Sequence, residues 1–283
     1  MKKVKRVGFI IKPHAPEVEE VLRDLMANCE ERGISCVLER VAAEKIGRRR
    51  EGIPREKIPT RSDLVVVLGG DGTLLSVAYL AAEAGVPVLG VNMGRLGFLT
   101  EVPVAEALLT LDAFLRGQRG CVSPRRLLEA RHKKTASYCL NDLVINKGAV
   151  ARMIEYTIWI DGKEVATLKA DGLIISTATG STAYSMSAGG PIIQPRIGAA
   201  VITPICPHTL TFRPLVISSK STVRVKLLTR GEKVFYTLDG QRGGVMERND
   251  SIIVRPAPVE LQLVTSPRRN FFDLVKEKLG WAN

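Results

Sequence analysis

The chain has no long apolar run. Nothing in its 283 residues approaches the roughly 18 consecutive apolar positions that a membrane-spanning helix needs, so a membrane is not expected as a partner. The first apolar stretch, Val7–Ile11, is cut off by Lys12 and Pro13 and is too short for a secretory leader. A chain without such a leader is expected to stay in the cytoplasm. Cysteine is sparse as well. Cys29, Cys36, Cys121, Cys139 and Cys206 form an odd set with no Cys-x-x-Cys pair, which excludes a disulfide framework and a structural zinc site and implies reduced, buried thiols. Aromatic residues make up only 5%. Nucleic-acid modules usually add exposed aromatics or a known motif to their basic charge. With neither here, the formal charge of +12 points away from nucleic acid and toward smaller phosphorylated ligands.

Familiar nucleotide and hydrolase signatures are missing too. No G-x-G-x-x-G follows the first strand and no G-x-x-x-x-G-K-[ST] occurs, which disfavours dehydrogenase and P-loop readings. No G-x-S-x-G elbow is present, and His14, His132 and His208 are scattered, so a serine nucleophile has no evident base.

What remains is an α/β first half. Val4–Ile11, Ile34–Leu38, Leu64–Leu68 and Val86–Val91 read as strands. Pro16–Arg32, Leu74–Ala84 and Val104–Arg116 read as helices, each followed by glycine. The rhythm implies an open parallel sheet with right-handed crossovers. The stretch from Ala42 to Thr60, with Arg48-Arg49-Arg50, reads as a solvated loop.

The second half changes to hairpins. Asp161-Gly162 and Asp239-Gly240 each separate two strand-like runs. Ser251–Val254 and Val259–Val264 add two more strands, and Phe271–Leu279 returns to a helix. The expected fold is therefore a Rossmann-like α/β domain over 1–118, completed by a tail at 266–283, and an all-β domain over 119–265. No internal repeat or low-complexity segment interrupts it.

Four segments carry chemistry. Leu64–Leu68 runs into Gly69-Gly70-Asp71-Gly72-Thr73 and then a helix. Open α/β sheets bind ligands at the carboxyl ends of their strands. Glycines let amides approach phosphate oxygens, and a helix start favours an anion. Gly69, Gly70, Gly72 and Thr73 are the phosphate loop, and Asp71 is the one side chain there able to accept a proton. The segment Asp171–Pro191 offers hydroxyls and glycines where a planar ligand can lie close, with Tyr184 as a stacking face. Its plainer alternative is a packing turn of small residues. Asn141-Asp142 suits ribose hydroxyls or a base edge, and equally a turn. Asp239-Gly240-Gln241 is explained as well by a hairpin turn.

Together these segments, with Asn92–Thr100, closely resemble the NAD kinase family in order and spacing over nearly the whole chain. The resemblance implies phosphoryl transfer from ATP to the 2′-hydroxyl of the adenosine ribose of NAD, giving NADP. It implies Asp71 as catalytic base. It implies NAD contacts from Asp71, Gly72, Asn141, Asp142, Arg152, Lys169, Asp171, Thr182, Ala183, Tyr184, Ser185, Met186, Ser187 and Gln241. A divalent cation, Mg²⁺, would accompany the ATP, and the subunits would assemble as dimers or tetramers in which one subunit completes its neighbour's site. Asp142 stands where the family usually has Glu, and Lys169 where Arg or His is common. Two rivals remain: a lipid or sugar kinase sharing the glycine signature, and a non-enzymatic polyanion-binding protein.

Overall fold

The computed structural model describes residues 3–15, 17–118, 120–148, 152–209, 211–230 and 233–281. Pro16, the expected first residue of the first helix, and Arg119, at the expected domain boundary, lie outside the described residues. The chain divides into two compact units, Met1–Pro124 with Glu260–Asn283, and Arg125–Val259.

The first unit contains β1 (Arg6–Ile11), α1 (Val18–Glu30), β2 (Ser35–Leu38), α2 (Arg40–Lys45), α3 (Ile58–Arg61), β3 (Leu64–Gly69), α4 (Asp71–Glu83), β4 (Val88–Asn92), β5 (Val102–Pro103) and α5 (Ala107–Leu115). Every residue of β3 and β4 is buried, as their unbroken apolar runs require of strands covered on both faces. The pairing is parallel throughout. Arg6 faces Ser35, Val7 faces Leu64, and Val65 faces Val88. The spatial order β4-β3-β1-β2 reverses direction at β1 and β3. The loop after β3 therefore opens at a topological switch point, where such sheets take ligands. Val18, Val21, Leu22, Leu25 and Met26 of α1 are all buried, so the helical spacing read from the sequence does face the core.

The second unit is sheet-rich. It holds β6 (Val122–His132), β7 (Thr135–Cys139), β8 (Asp142–Lys147), β9 (Ile154–Ile160), β10 (Lys163–Ala170), β11 (Gly172–Thr177), the short helix α6 (Tyr184–Ser187), β12 (Ala199–Ile205), β13 (Leu215–Ser218), β14 (Val223–Leu227), β15 (Val234–Leu238), β16 (Arg242–Met246) and most of β17 (Ser251–Val264). One sheet runs β13-β12-β11-β8-β15-β16. The other side of the core is formed by β10, β9, β14 and the start of β17, all antiparallel. Leu143, Ile145, Tyr156, Leu173, Ile175 and Val225 meet in one buried cluster. The phenol of the fully buried Tyr156 donates to the carbonyl of Gly172 at 3.0 Å, and burial pushes its pKa well above the ordinary tyrosine value.

The last element, α7 (Phe271–Leu279), belongs to the first unit. Its start is a complete capping box. Asn270 accepts from the amides of Phe272 and Asp273, and Asp273 accepts from the Asn270 amide.

Several expectations are corrected. The stretch from Ala42 to Thr60 is not a plain loop but carries the rest of α2, two 3₁₀ turns and most of α3. Ala42 and Ala43 are fully buried, and the Arg55 guanidinium ties Glu39 at 2.7 Å, so local packing supplies order that the Gly/Pro spacing concealed. Ser251–Val254 and Val259–Val264 form one strand rather than two. Pro256 and Pro258, which read as a break, fall after the pairing of Val254 with Val223 ends and before that of Leu263 with Val88 begins. The five cysteines are free thiols as expected, but Cys206 is exposed and Cys36 only half-buried. Cys206 follows β12 in a left-handed turn with φ 45, which carries it out of the sheet.

Candidate functional site

Asp71 is the residue next but one after β3 and the first of α4, with Gly70 as the cap. An acidic residue is favoured there by the helix dipole. Its carboxylate is held by a loop 27 to 29 residues further along. Oδ2 accepts from the Phe98 amide at 3.0 Å. Oδ1 accepts from the amides of Leu99 at 3.2 Å and Thr100 at 2.8 Å, and from the Thr100 hydroxyl at 2.9 Å. A Cβ at Gly97 would lie 2.0 Å from Asp71 Oδ1, so only glycine allows the loop this close. Asn92 braces the same loop. Its amide group donates to the Arg95 carbonyl and the Thr100 hydroxyl, and its Oδ1 accepts from Gly94. Each carboxylate oxygen offers about two acceptor sites. Oδ1 is saturated by three donors, while Oδ2 receives one and keeps room for an incoming hydroxyl. Gly69 cannot carry a side chain either, because a Cβ there would press on the Thr73 hydroxyl. Gly72 is exposed at the start of α4.

In the second unit, three of the motifs converge. Asp239, at φ 51, receives the amides of Leu140 at 2.8 Å, Asn141 at 2.7 Å and Asp142 at 3.2 Å. The hydroxyl of Thr177 donates to the Leu140 carbonyl at 2.6 Å, and the Thr177 amide donates to the Asn141 carbonyl at 2.9 Å. Gly180 packs against the Asn141 backbone so tightly that a Cβ would meet the Asn141 carbonyl oxygen at 2.1 Å. Asn141-Asp142, the Thr177–Thr182 turn and the Asp239-Gly240 hairpin are therefore one assembly.

Two carboxylates share this assembly. Burial pushes Asp142 up to about 7, and the charge of Asp239 adds to the effect. Burial also raises Asp239, but its three amide donors pull it back. Both carboxylates are thus held above the ordinary carboxylate range, Asp142 with no amide donor of this kind to oppose its burial.

The Thr182–Ser187 residues divide. The Ser185 side chain is fully buried and spent on the Thr203 hydroxyl at 2.9 Å. Thr182 turns back to the Thr179 carbonyl. Tyr184 is 45% exposed, and Ser187 also faces outward, with Ala183 and Met186 half-buried. Gln241 lies on the exposed side of its hairpin, its amide bonded to the Leu238 carbonyl.

The remaining three expected contacts lie elsewhere. Arg152, Lys169 and Asp171 line one cavity of about 910 Å³. Its charged lining is Lys147, Arg152, Lys169 and Arg230 against Glu155 and Asp171. Lys147 Nζ pairs with Asp171 Oδ1 at 2.8 Å. β8 and β11 run antiparallel, with Gly172 facing Asn146 and Ser176 facing Asp142. At 3.3 to 3.4 Å per residue, this cavity and the Asn141 assembly are roughly 17 Å apart along β11.

Sequence reasoning did not single out Lys147, the clamping role of Asp239, or the Phe98–Thr100 amides. Asp239 carried one usable signal, an Asp-Gly turn directly after an apolar strand. Among the described residues, no group of three or more His, Cys, Asp or Glu side chains is arranged to hold a metal. No described helix is long and apolar enough to cross a membrane.

Residues 7–119 match the ATP-NAD kinase N-terminal domain family, and residues 140–266 match the ATP-NAD kinase C-terminal domain family. The chain is 44% identical over 284 residues to an NAD kinase of Syntrophotalea carbinolica, covering 99% of each. It is 44% identical over 283 residues to an NAD kinase of Geobacter sulfurreducens, again covering 99% of each. Among solved structures, yeast NADH kinase in complex with NADH superposes with a TM-score of 0.90 at 27% identity, over 99% of this chain and 89% of that one. An NAD kinase from Archaeoglobus fulgidus in complex with ATP shares the fold, with a TM-score of 0.77 at 22% identity over 96% of this chain and 98% of that one.

Proposed function

This chain belongs to the NAD kinase family, and from that premise we propose that Asp71 accepts the proton of the attacking hydroxyl while the second unit recognises the dinucleotide. The enzyme transfers the γ-phosphoryl group of ATP to the 2′-hydroxyl of the adenosine ribose of NAD, forming NADP and ADP. A hydroxyl is a weak nucleophile, and the residue that aims it must itself be immobile. What supports Asp71 in that role is the four-donor hold on its carboxylate, which leaves acceptor capacity on Oδ2. Gly69, Gly70, Gly72 and Thr73 would cradle the transferring phosphoryl group through their backbone. Mg²⁺ would enter with the ATP phosphates as part of the donor substrate, since the protein groups no acidic cluster of its own among the described residues.

For the dinucleotide, Asn141 and Asp142 would bind ribose hydroxyls and Tyr184 would stack on a ring, with Gln241 and the Thr182–Ser187 turn around them. Arg152, Lys169 and Asp171, about 17 Å away along β11, would act on the same ligand in a neighbouring subunit. Self-association as a dimer or tetramer is part of this reading. The edge strand β13 leaves Leu215 and Val216 exposed, as an interface strand would. Light scattering on the purified protein tests the assembly. Cytoplasmic placement is proposed with it.

The decisive experiment incubates the protein with NAD, ATP and Mg²⁺ and measures NADP. Parallel arms replace ATP with polyphosphate and NAD with NADH. Formation of NADP from NAD, or of NADPH from NADH, that requires ATP supports the reading, and the absence of both in every arm refutes it. A lipid or sugar kinase would leave NAD untouched while phosphorylating its own acceptor.

A further inference from the structure

The Asp71 carboxylate can be no better placed than the three consecutive amides that hold it. Those amides belong to Phe98, Leu99 and Thr100. Both ends of their loop are tied to the C-terminal segment. At one end the Ser266 amide donates to Glu101 Oε1 at 3.3 Å, and Glu101 directly follows Thr100. At the other end Lys278 Nζ donates to the Leu96 carbonyl, and the same ammonium lies 5.7 Å from the centre of the Phe98 ring. That distance is within the range of a cation–π attraction.

The segment between these ties is built to be stiff. Arg269 bridges Glu106 and Glu277, and the Ser266 hydroxyl bonds Glu106. The capping box fixes the start of α7, Leu274 and Val275 bury its inner face, and Gly280 at φ 67 closes it. Lys278 itself is exposed, so its contribution is not to the core. An exposed lysine in the last turn of a helix would ordinarily only complement the helix dipole. This one reaches across to the backbone of a loop 182 residues earlier in the chain.

We propose that Lys278 is a positioning residue for phosphoryl transfer. It fixes the Leu96–Phe98 segment, and that segment fixes the Asp71 carboxylate. The inference rests on Asp71 being the base. A displacement of about 1 Å at a reacting group can cost as much as 10²-fold in rate. Lys278→Met is therefore expected to lower kcat by roughly 10- to 100-fold with little change in the KM for NAD. Lys278→Arg keeps a donor for the carbonyl and a planar cation for the ring, and is expected to restore most of the turnover. Phe98→Leu removes the ring under the ammonium but keeps the amide to Asp71, and is expected to lower kcat in the same direction.

The test measures NADP formation by wild type, Lys278→Met, Lys278→Arg, Phe98→Leu, Asp71→Asn and the double variant Asp71→Asn/Lys278→Met, with thermal melts of each. If Lys278 acts through Asp71, the methionine substitution adds little once Asp71 is already asparagine. An unchanged kcat in Lys278→Met overturns the inference. So does a loss of equal size in both backgrounds, or an arginine variant as slow as the methionine one. A high turnover in Asp71→Asn overturns the base assignment instead, which keeps the two failures distinct.

Discussion

The amide of Asn141 donates to Asp239 Oδ1 at 2.7 Å, across 98 residues of sequence. The same carboxylate takes the amides of Leu140 and Asp142, so one side chain sets the backbone of the whole Leu140–Asp142 segment. Asp239→Asn keeps the shape but turns an NH₂ group toward one of those donors. Leaving a buried donor unmet costs about 1–3 kcal/mol. The variant is expected to melt earlier than wild type. Its KM for NAD should rise about tenfold, equivalent to about 1.4 kcal/mol of binding, because Asn141 and Asp142 lose their fixed position. Calorimetry and steady-state kinetics read the two effects separately, and an unchanged KM would remove the segment from the NAD site.

Asp142 makes the ligand-free protein sensitive to pH in a definite direction. Its folded value of about 7 lies above the ordinary carboxylate value of 3.8, because burial disfavours the charge and Asp239 repels it. Between these values the folded protein holds a proton that the unfolded chain has lost. The associated stability is present in full below about pH 4 and is gone above about pH 7. The gap corresponds to a ceiling on the order of 4 kcal/mol. Asp142→Asn has nothing to titrate, so the wild-type-minus-variant stability should fall as pH rises from 4 to 7 and then level off. If ribose hydroxyls donate to the ionised carboxylate, the affinity for NAD should rise over the same change, from pH 6 to 8. Denaturant titrations and NAD-binding isotherms across pH check both, and a variant that follows the wild-type curve would discard Asp142 as their source.

The parts of this site that local sequence rules describe were legible in advance. Leu64–Leu68 is unbroken and apolar with β-branched Val65, Val66 and Val67 at its centre, and it forms a fully buried strand feeding the Gly69–Thr73 loop. Asp161-Gly162 joins two strands as a two-residue turn should, with both residues at positive φ. The parts that failed depend on partners remote in sequence. Phe98, Leu99 and Thr100 hold Asp71 chiefly through backbone amides, which leave no mark in their side-chain types; only the Thr100 hydroxyl adds a side-chain contact. Asp239 reads as a turn residue because it is one, and its three acceptor contacts come from a strand start nearly a hundred residues away. Lys147 reads as the end of an apolar strand, and only the register of β8 against β11 brings it to Asp171. β6 carries no clear strand signature in sequence, because Arg125, Arg126, Glu129 and Arg131 interrupt its apolar positions. The fold compensates for one of these by pairing the buried Glu129 with Arg255 at 2.9 Å.

The cavity around Lys169 should make NAD recognition dependent on ionic strength. Four cations face two carboxylates there, and one of those carboxylates is already paired with Lys147. A dinucleotide brings a negatively charged pyrophosphate, and partly exposed charges are screened within a Debye length of about 8 Å at physiological salt. The KM for NAD is expected to rise with added potassium chloride at constant ATP and Mg²⁺. Lys169→Ala should raise the KM about fivefold at low salt, equivalent to ~1 kcal/mol, and should flatten the salt dependence. A variant with the wild-type salt slope would place the pyrophosphate elsewhere.

Asp71→Asn tests the chemistry itself. The substitution preserves size and leaves one oxygen able to receive the amides of Leu99 and Thr100, so the loop keeps most of its ties. What it removes is the proton-accepting capacity proposed for this carboxylate toward the 2′-hydroxyl. Losing one preorganised catalytic contribution of this kind usually costs about 10²–10³ in rate, and general acid–base groups fall in a similar range of about 10²–10⁴. The expected outcome is a fall in kcat of that order. NAD affinity, measured by calorimetry without ATP, should stay near the wild-type value, because the contacts proposed for the dinucleotide lie mainly in the second unit. The two readouts must separate for the assignment to stand. If affinity collapses along with turnover, Asp71 is a binding residue and the base lies elsewhere. If turnover survives, the hydroxyl reaches the γ-phosphorus with no help from this carboxylate.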